Sequence, residues 1–325
     1  MTTDIETYLN SLSDDILTLN VSNSSIKTLP DLTRFKNLKI LYCYDNQLTS
    51  LPTLPQNLKL LHCPNNQLTS LPTLPKNLLE LHCSNNPLTS LPTLPQNLLE
   101  LYCSNNPLTS LPTLPQNLKL LHCHTNQLTL LPSLPQKLKI LHCFGNKLTL
   151  LPTLSKNLEE LYCSNNQLTS LPTLPKNLKK LYCSYNELTS LPSLPQNLKI
   201  LYCAYNQLTS LPTLPQSLQE LNFVNNPIYK IVNNDTLIKM KKNIQILNNF
   251  RYLYYCLKFK KQLRKWLWEK VREANVKKLY EPKYLIENLG DDDDLDTVLN
   301  NWINKLSVFH FVVNVITCEK DVKTT

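Results

Sequence analysis

Residues 91–110 read LPTLPQNLLELYCSNNPLTS, and residues 51–70 read LPTLPQNLKLLHCPNNQLTS. The two stretches align without a gap. The same unit recurs without a change of length from Leu51 to Lys230, which is nine copies of twenty residues. Residues 29–50 form a copy with two extra residues. Residues 9–28 form a degenerate copy with Ile16, Leu19, Val21 and Ile26 in the apolar slots. Eleven units therefore cover 222 of the 325 residues. One unit is too short to bury its own leucines, so the units must stack and share a continuous core.

The run Leu-x-Cys in each unit predicts a short strand with alternating side chains. Leu101 and Cys103 face inward on this reading, and Tyr102 faces out. Strands of successive units pair in parallel at about 4.8 Å, so eleven of them span on the order of 50 Å. Two prolines per unit favour an extended, polyproline-like return segment over a helix. Nine of the eleven cysteines stand in phase: Cys43, Cys63, Cys83, Cys103, Cys123, Cys143, Cys163, Cys183 and Cys203. Val21 and Phe223 fill the same slot at the ends, so the slot wants a hydrophobe and the thiols read as inert core.

The full pattern, Leu-x-x-Leu-x-Cys-x-x-Asn-x-Leu, resembles the leucine-rich-repeat signature. The Leu-Pro-x-Leu-Pro opening and the period of twenty resemble the short bacterial-effector type. Giant viruses of amoebae encode similar proteins, and the Asn-, Lys- and Ile-rich tail resembles theirs. The resemblance implies an α/β repeat fold. It would be a right-handed leucine-rich-repeat solenoid with parallel strands on the concave face, an extended convex side and an α-helical C-terminal cap. The expected organisation is a lead-in at 1–8, eleven repeats at 9–230 and a basic helical region at 231–325. The resemblance also implies an amide ladder of Asn46, Asn66, Asn86, Asn106, Asn126, Asn146, Asn166, Asn186, Asn206 and Asn226, bonding loop backbone groups otherwise left unpaired.

Composition removes whole classes of function. Gly145 and Gly290 are the only glycines, too few for a dinucleotide fingerprint or a phosphate-binding loop. No apolar run reaches the length of a membrane span, and no signal peptide is visible at the start. An odd number of cysteines without a secretion signal points to reduced thiols and a cytoplasmic location, the host cytoplasm if the protein is viral. No cofactor is expected.

Function in a solenoid belongs to the concave surface. The second outward column, Tyr42, His62, His82, Tyr102, His122, His142, Tyr162, Tyr182 and Tyr202, is aromatic or imidazole in nine consecutive units. Units six and seven break the consensus with His124, Thr125, Phe144 and Gly145, and with Leu130 and Leu150. Units nine and ten add Tyr185 and Tyr205. The candidate partner-binding residues are therefore Tyr42, Tyr44, His122, His124, His142, Phe144, Tyr182, Tyr185, Tyr202 and Tyr205. Stacked rings also stabilise sheets by themselves, which is the competing reading. Three histidines on one face lack a fourth ligand for a metal, and protonation near pH 6 is an alternative use for them.

After the repeats, 236–278 reads as a helix with Leu253, Leu257, Leu263, Leu267, Val271 and Ala274 on one face. Between Lys239 and Lys278 stand 13 Lys and Arg against two acids, Glu269 and Glu273. A cap is expected, with nucleic-acid or anionic-surface binding as the alternative role. The cluster Asp291–Asp294 has no Glu at the twelfth position of a calcium loop and instead suits a helix start near Leu295. Some bacterial-effector repeat proteins carry a ligase domain with a Cys-x-Asp motif. Here Cys256 and Cys318 lack that Asp, and His310 has no partner for acid–base work. The sequence thus reads as a non-enzymatic module that binds a partner protein on its concave face, with a host protein as the candidate partner.

Overall fold

The computed structural model describes residues 5–232 and 236–258. The chain divides into two compact units, Met1–Tyr229 and Lys230–Thr325. The first opens with α1 (Ile5–Asn10), whose Leu9 is buried. Eleven three-residue strands follow. They run from β1 (Thr18–Asn20) to β2 (Ile40–Tyr42) in a step of twenty-two residues, and from there at regular twenty-residue steps to β10 (Ile200–Tyr202) and β11 (Glu220–Asn222). They form a single parallel sheet in strict sequence order. Each rung aligns equivalent residues, as in Leu101 with Leu121 and Tyr102 with His122. This is a leucine-rich-repeat solenoid with an extended return segment in every unit.

The strand sits one residue earlier than the Leu-x-Cys reading placed it. It spans Ile40–Tyr42, and Cys43 lies just beyond. The Cys43 N–H still donates to the His62 carbonyl at 2.9 Å. Its carbonyl, however, accepts from the Asn46 and Asn66 amides at 3.1 and 2.9 Å, which ends the regular pairing. Leu41, Leu48, Leu58 and their equivalents are buried, except Leu221 in the last strand, and so is each in-phase cysteine. In the first unit Leu19 and Val21 are buried, but Ile16 and Ile26 are only half-buried, since no earlier unit covers them.

The asparagine column is closed as a network. The Asn106 side-chain N–H groups reach the carbonyls of Cys83, Cys103 and Ser104 at 3.1–3.2 Å, and its Oδ1 accepts from Leu88 N at 3.0 Å. The same pattern repeats along the solenoid, so each amide ties its own loop to the preceding one. Buried backbone polar groups at the loop thereby find partners.

The return segment is extended through each Leu-Pro-x-Leu-Pro run and turns before the next strand. Pro55 O accepts from Leu58 N at 3.1 Å in that turn. Ser155 stands where the other regular units have the second proline, and it is fully buried. Its hydroxyl donates to Gln136 O at 2.7 Å and accepts from Asn157 N at 3.1 Å, which satisfies the buried oxygen. A second amide ladder, missed in the sequence, runs along these turns. Asn57 bonds Lys36 O at 2.8 Å, and Asn97 bonds Lys76 O at 3.2 Å.

The repeats end in α2 (Tyr229–Val232), and the second unit contains α3 (Leu237–Lys258). Within α3, Ile244 and Leu247 are buried, while Ile238, Tyr252 and Tyr254 are exposed. The expected helix at 236–278 is thus described as far as Lys258. The side chains of Leu253, Cys256 and Leu257 lie outside the described residues. So do Leu263, Leu267, Val271, Ala274, the Asp291–Asp294 cluster, His310, Cys318 and the tail.

Candidate functional site: the concave face

Parallel strands in one-to-one register bring equivalent side chains of adjacent units within ring contact. The second outward column is consequently a continuous ladder. Centroid distances are 4.7 Å for His62–His82, 4.1 Å for His82–Tyr102, 4.8 Å for Tyr102–His122 and 4.0 Å for His122–His142. The ladder continues through Tyr162, Tyr182 and Tyr202 at 4.1–4.9 Å. At its start Tyr42 and Tyr44 both contact His62. These rings are half-buried because they cover one another, so they offer edges and polar tips in place of open faces.

Burial also fixes their charge. The imidazoles of His82, His122 and His142 are held down at about 4, first by desolvation and then by neighbouring charges. His62 and His124 shift the same way through burial. The expectation of protonation near pH 6 is therefore overturned for His122 and His142, which are neutral there, as is His82. His122 and His142 lie parallel, 10° apart, which aims their nitrogens alongside each other, not at a shared point. Among the described residues no group of three or more His, Cys, Asp or Glu is placed to hold a metal ion.

One residue past the third outward column, the chain passes through the left-handed region in every regular unit. Asp45, Asn65, Asn85, Asn105, Thr125, Gly145, Asn165, Tyr185, Tyr205 and Asn225 all have φ between 53° and 65°. Asn and Gly suit that conformation; Thr and Tyr are strained in it. Tyr185 and Tyr205 nonetheless occupy it, with φ of 56° and 53°. Their rings stack at 4.2 Å, 9° apart, and remain about half exposed, at 51% and 45%. Tyr182 and Tyr202 belong to the central ladder, so the four tyrosines form two pairs in different columns. His124 and Phe144 make a further stack at 4.2 Å. Leu130 and Leu150 are exposed at 55% and 53%, but they lie in the return segments away from the strands.

The inward thiols are the counterpart. Burial pushes the Cys83, Cys143 and Cys203 thiols up to about 12, and the other in-phase thiols for which a shift is resolved move the same way. They are protonated, unpaired by disulfides and shielded from solvent.

The comparisons with known proteins agree with this geometry. The family model described as leucine-rich repeats (2 copies) matches residues 136–176 and 176–216. The chain is a leucine-rich-repeat protein. Its repeats are similar to YopM from Yersinia enterocolitica WA-314, at 40% identity over 66% of this chain with a TM-score of 0.65. The match covers 48% of the YopM chain, so this chain spans about half of that protein's length. They are also similar to the functional domain of InlJ from Listeria monocytogenes, described as including a cysteine ladder. Identity there is 25% over 70% of this chain and 57% of that one, with a TM-score of 0.53. The repeat part of FLRT2, solved in an octameric complex with Latrophilin 3 and Unc5D, shares the fold. It is 24% identical over 66% of this chain and 77% of that chain, at a TM-score of 0.53. No curated protein matches the sequence. The fold is that of the bacterial-effector repeats, and among the described residues no helix is long and apolar enough to cross a membrane.

Proposed function

We propose that the protein is a non-catalytic interaction module whose concave face binds a partner protein. The observation that carries this reading is the Tyr185–Tyr205 stack. Eight units place Asp, Asn, Thr or Gly in that left-handed slot, and two place a tyrosine there at a cost in backbone strain. Folding does not require those rings, because Asn serves next to them at Asn165 and Asn225. Contact does use them: tyrosines add large, stiff, amphipathic area to binding surfaces. Tyr182 and Tyr202, the His124–Phe144 stack with His122 and His142, and the Tyr42–Tyr44 pair extend the same surface along the solenoid.

Reduced, buried thiols suit a reducing compartment, so the proposed location is the cytoplasm. The resemblance of the tail to giant-virus proteins supports a host protein as the partner. The region after the repeats acts as a cap on this reading. A second reading rests on α3, which carries Lys239, Lys241, Lys242, Arg251 and Lys258 and no acidic residue. There the protein binds nucleic acid or an anionic surface through its second unit, and binding falls steeply with salt.

Affinity capture from cell lysate tests the two together. The intact chain is compared with a variant carrying alanine at Tyr182, Tyr185, Tyr202 and Tyr205, with folding checked by circular dichroism. The concave-face reading expects the variant to fold and lose its partner. Unchanged capture by the folded variant overturns it, and capture abolished by nuclease or high salt moves the function to α3.

A further inference from the structure

The residue that precedes each strand forms a column of its own at the N-terminal ends of the strands. In units six to ten it holds Lys119, Lys139, Glu159, Lys179 and Lys199. The backbone holds these residues on consecutive rungs: Lys139 N donates to Lys119 O, and Lys199 N to Lys179 O, both at 2.8 Å. All four lysines are exposed. Like charges on adjacent rungs repel and weaken a sheet. Glu159 relieves part of this, bonding Lys179 at 2.5 Å and lying 3.6 Å from Lys139.

The fold does not ask for these charges. Leu79, Leu99 and Gln219 occupy the same slot in units four, five and eleven, and their strands pair in the same register. A column that tolerates neutral residues, yet sets lysines on adjacent rungs at Lys39–Lys59 and again at Lys119–Lys139 and Lys179–Lys199, is a charged surface in search of an anion, and its longest stretch lies in units six to ten. The face beside it is informative about which anion. The ladder rings pack against one another at 4.0–4.9 Å, stacked at some rungs and edge to face at others, so their faces are not open to receive bases in series. They present ring edges, hydroxyls and neutral imidazole nitrogens, which suit carboxylate and carbonyl oxygens.

We propose that the lysine lip of units six to ten is a docking surface for an acidic peptide segment of the partner protein, with Lys119, Lys139, Lys179 and Lys199 as its charge contacts. This rests on the concave-face reading and specifies the chemistry of its partner.

The probe is fluorescein-labelled poly-L-glutamate, titrated into the full chain at low and physiological salt. Lys119, Lys139, Lys179 and Lys199 are replaced together by glutamine, which Gln219 shows the slot accepts. A control replaces Lys27, Lys36, Lys76 and Lys147 by glutamine and changes net charge equally. The lip variant is expected to bind at least about tenfold more weakly, and the control to stay within about twofold of the parent. Equal weakening in both variants overturns the proposal, because the probe then reads net charge alone. Tighter binding of an oligothymidine than of poly-glutamate, lost in the lip variant, also overturns it and makes nucleic acid the ligand. The four-tyrosine variant keeps every lysine, so its capture result judges the concave-face reading independently of this one.

Discussion

Asn105 and Asn106 are neighbours of the same residue type, repeated at the same spacing, and they do opposite jobs. Asn106 is buried and closes four hydrogen bonds between two loops. Its column is asparagine in ten units without exception. Asn105 is exposed, holds a φ of 56°, and belongs to a column that also admits Asp, Thr, Gly and Tyr. The first column is fixed by what its amide must satisfy. The second is constrained chiefly by backbone conformation; its exposed side chains bond one another from Asp45 to Asn85 but vary beyond, with purpose. A solenoid of this kind separates the residues that hold it together from those that give it a use by a single step along the chain.

The inward side of that division gives the largest expected effects. The nine in-phase thiols should resist an aromatic disulfide reagent in the native state by orders of magnitude, because they are buried. Peptide mapping should find them modified only after denaturant is added. Native labelling at Cys123 would show that the core opens.

Replacing Asn106 by alanine leaves Leu88 N without a partner and takes one of two donors from the carbonyls of Cys83, Cys103 and Ser104, and should cost roughly 3 kcal/mol, read as a lower denaturant midpoint. Replacing Asn105 by alanine should cost only about 1 kcal/mol, the penalty of a left-handed alanine. Equal losses would erase the distinction between the two columns.

Acid should test the outward ladder. His82, His122 and His142 titrate at about 4 in the fold against 6.5 in the unfolded chain, so protons bind the unfolded chain first. Their contribution to stability is complete above about pH 6.5 and is lost as pH falls towards 4. Melting temperature should hold down to about pH 6.5 and decline between there and about 4. Tyrosine at positions 122 and 142, which Tyr102 and Tyr162 show the slot accepts, should flatten the decline. A slope unchanged in that variant assigns it to other groups.

The smallest change in stability is expected from asparagine at Tyr185 and Tyr205. Relief of the left-handed tyrosines and loss of their stacking oppose each other at about 1 kcal/mol each. Partner capture should nevertheless fall sharply, which separates use from stability most directly.

The fold was legible because its evidence was repeated eleven times. Leu101, Cys103 and Asn106 recur at one spacing, and only a stack can bury them all. The strand position slipped by one residue, since the amide that claims the Cys43 carbonyl is invisible without its geometry. The left-handed column was hidden for a similar reason: in Asn105-Asn106 the letters are identical and only φ differs. Tyr185 and Tyr205 stood out by composition, but the strain they carry did not. The charge state of the column histidines is not legible in the letters, because the sequence places His82, His122 and His142 on one face without showing how far ring contact buries them. The Asn57 ladder was passed over, although Asn at 57, 77, 97, 117 and 157 in phase was a signal available in the letters.

The one-to-one register of the sheet makes length itself adjustable. Every junction between regular units is alike, so a block of twenty residues removed or duplicated in phase leaves two ends that still fit. Each such event moves the reading surface by one rung of about 4.8 Å. The distance between the Tyr44 end and the Tyr205 end is therefore a ruler with discrete marks, and recombination between near-identical units could reset it in a single step.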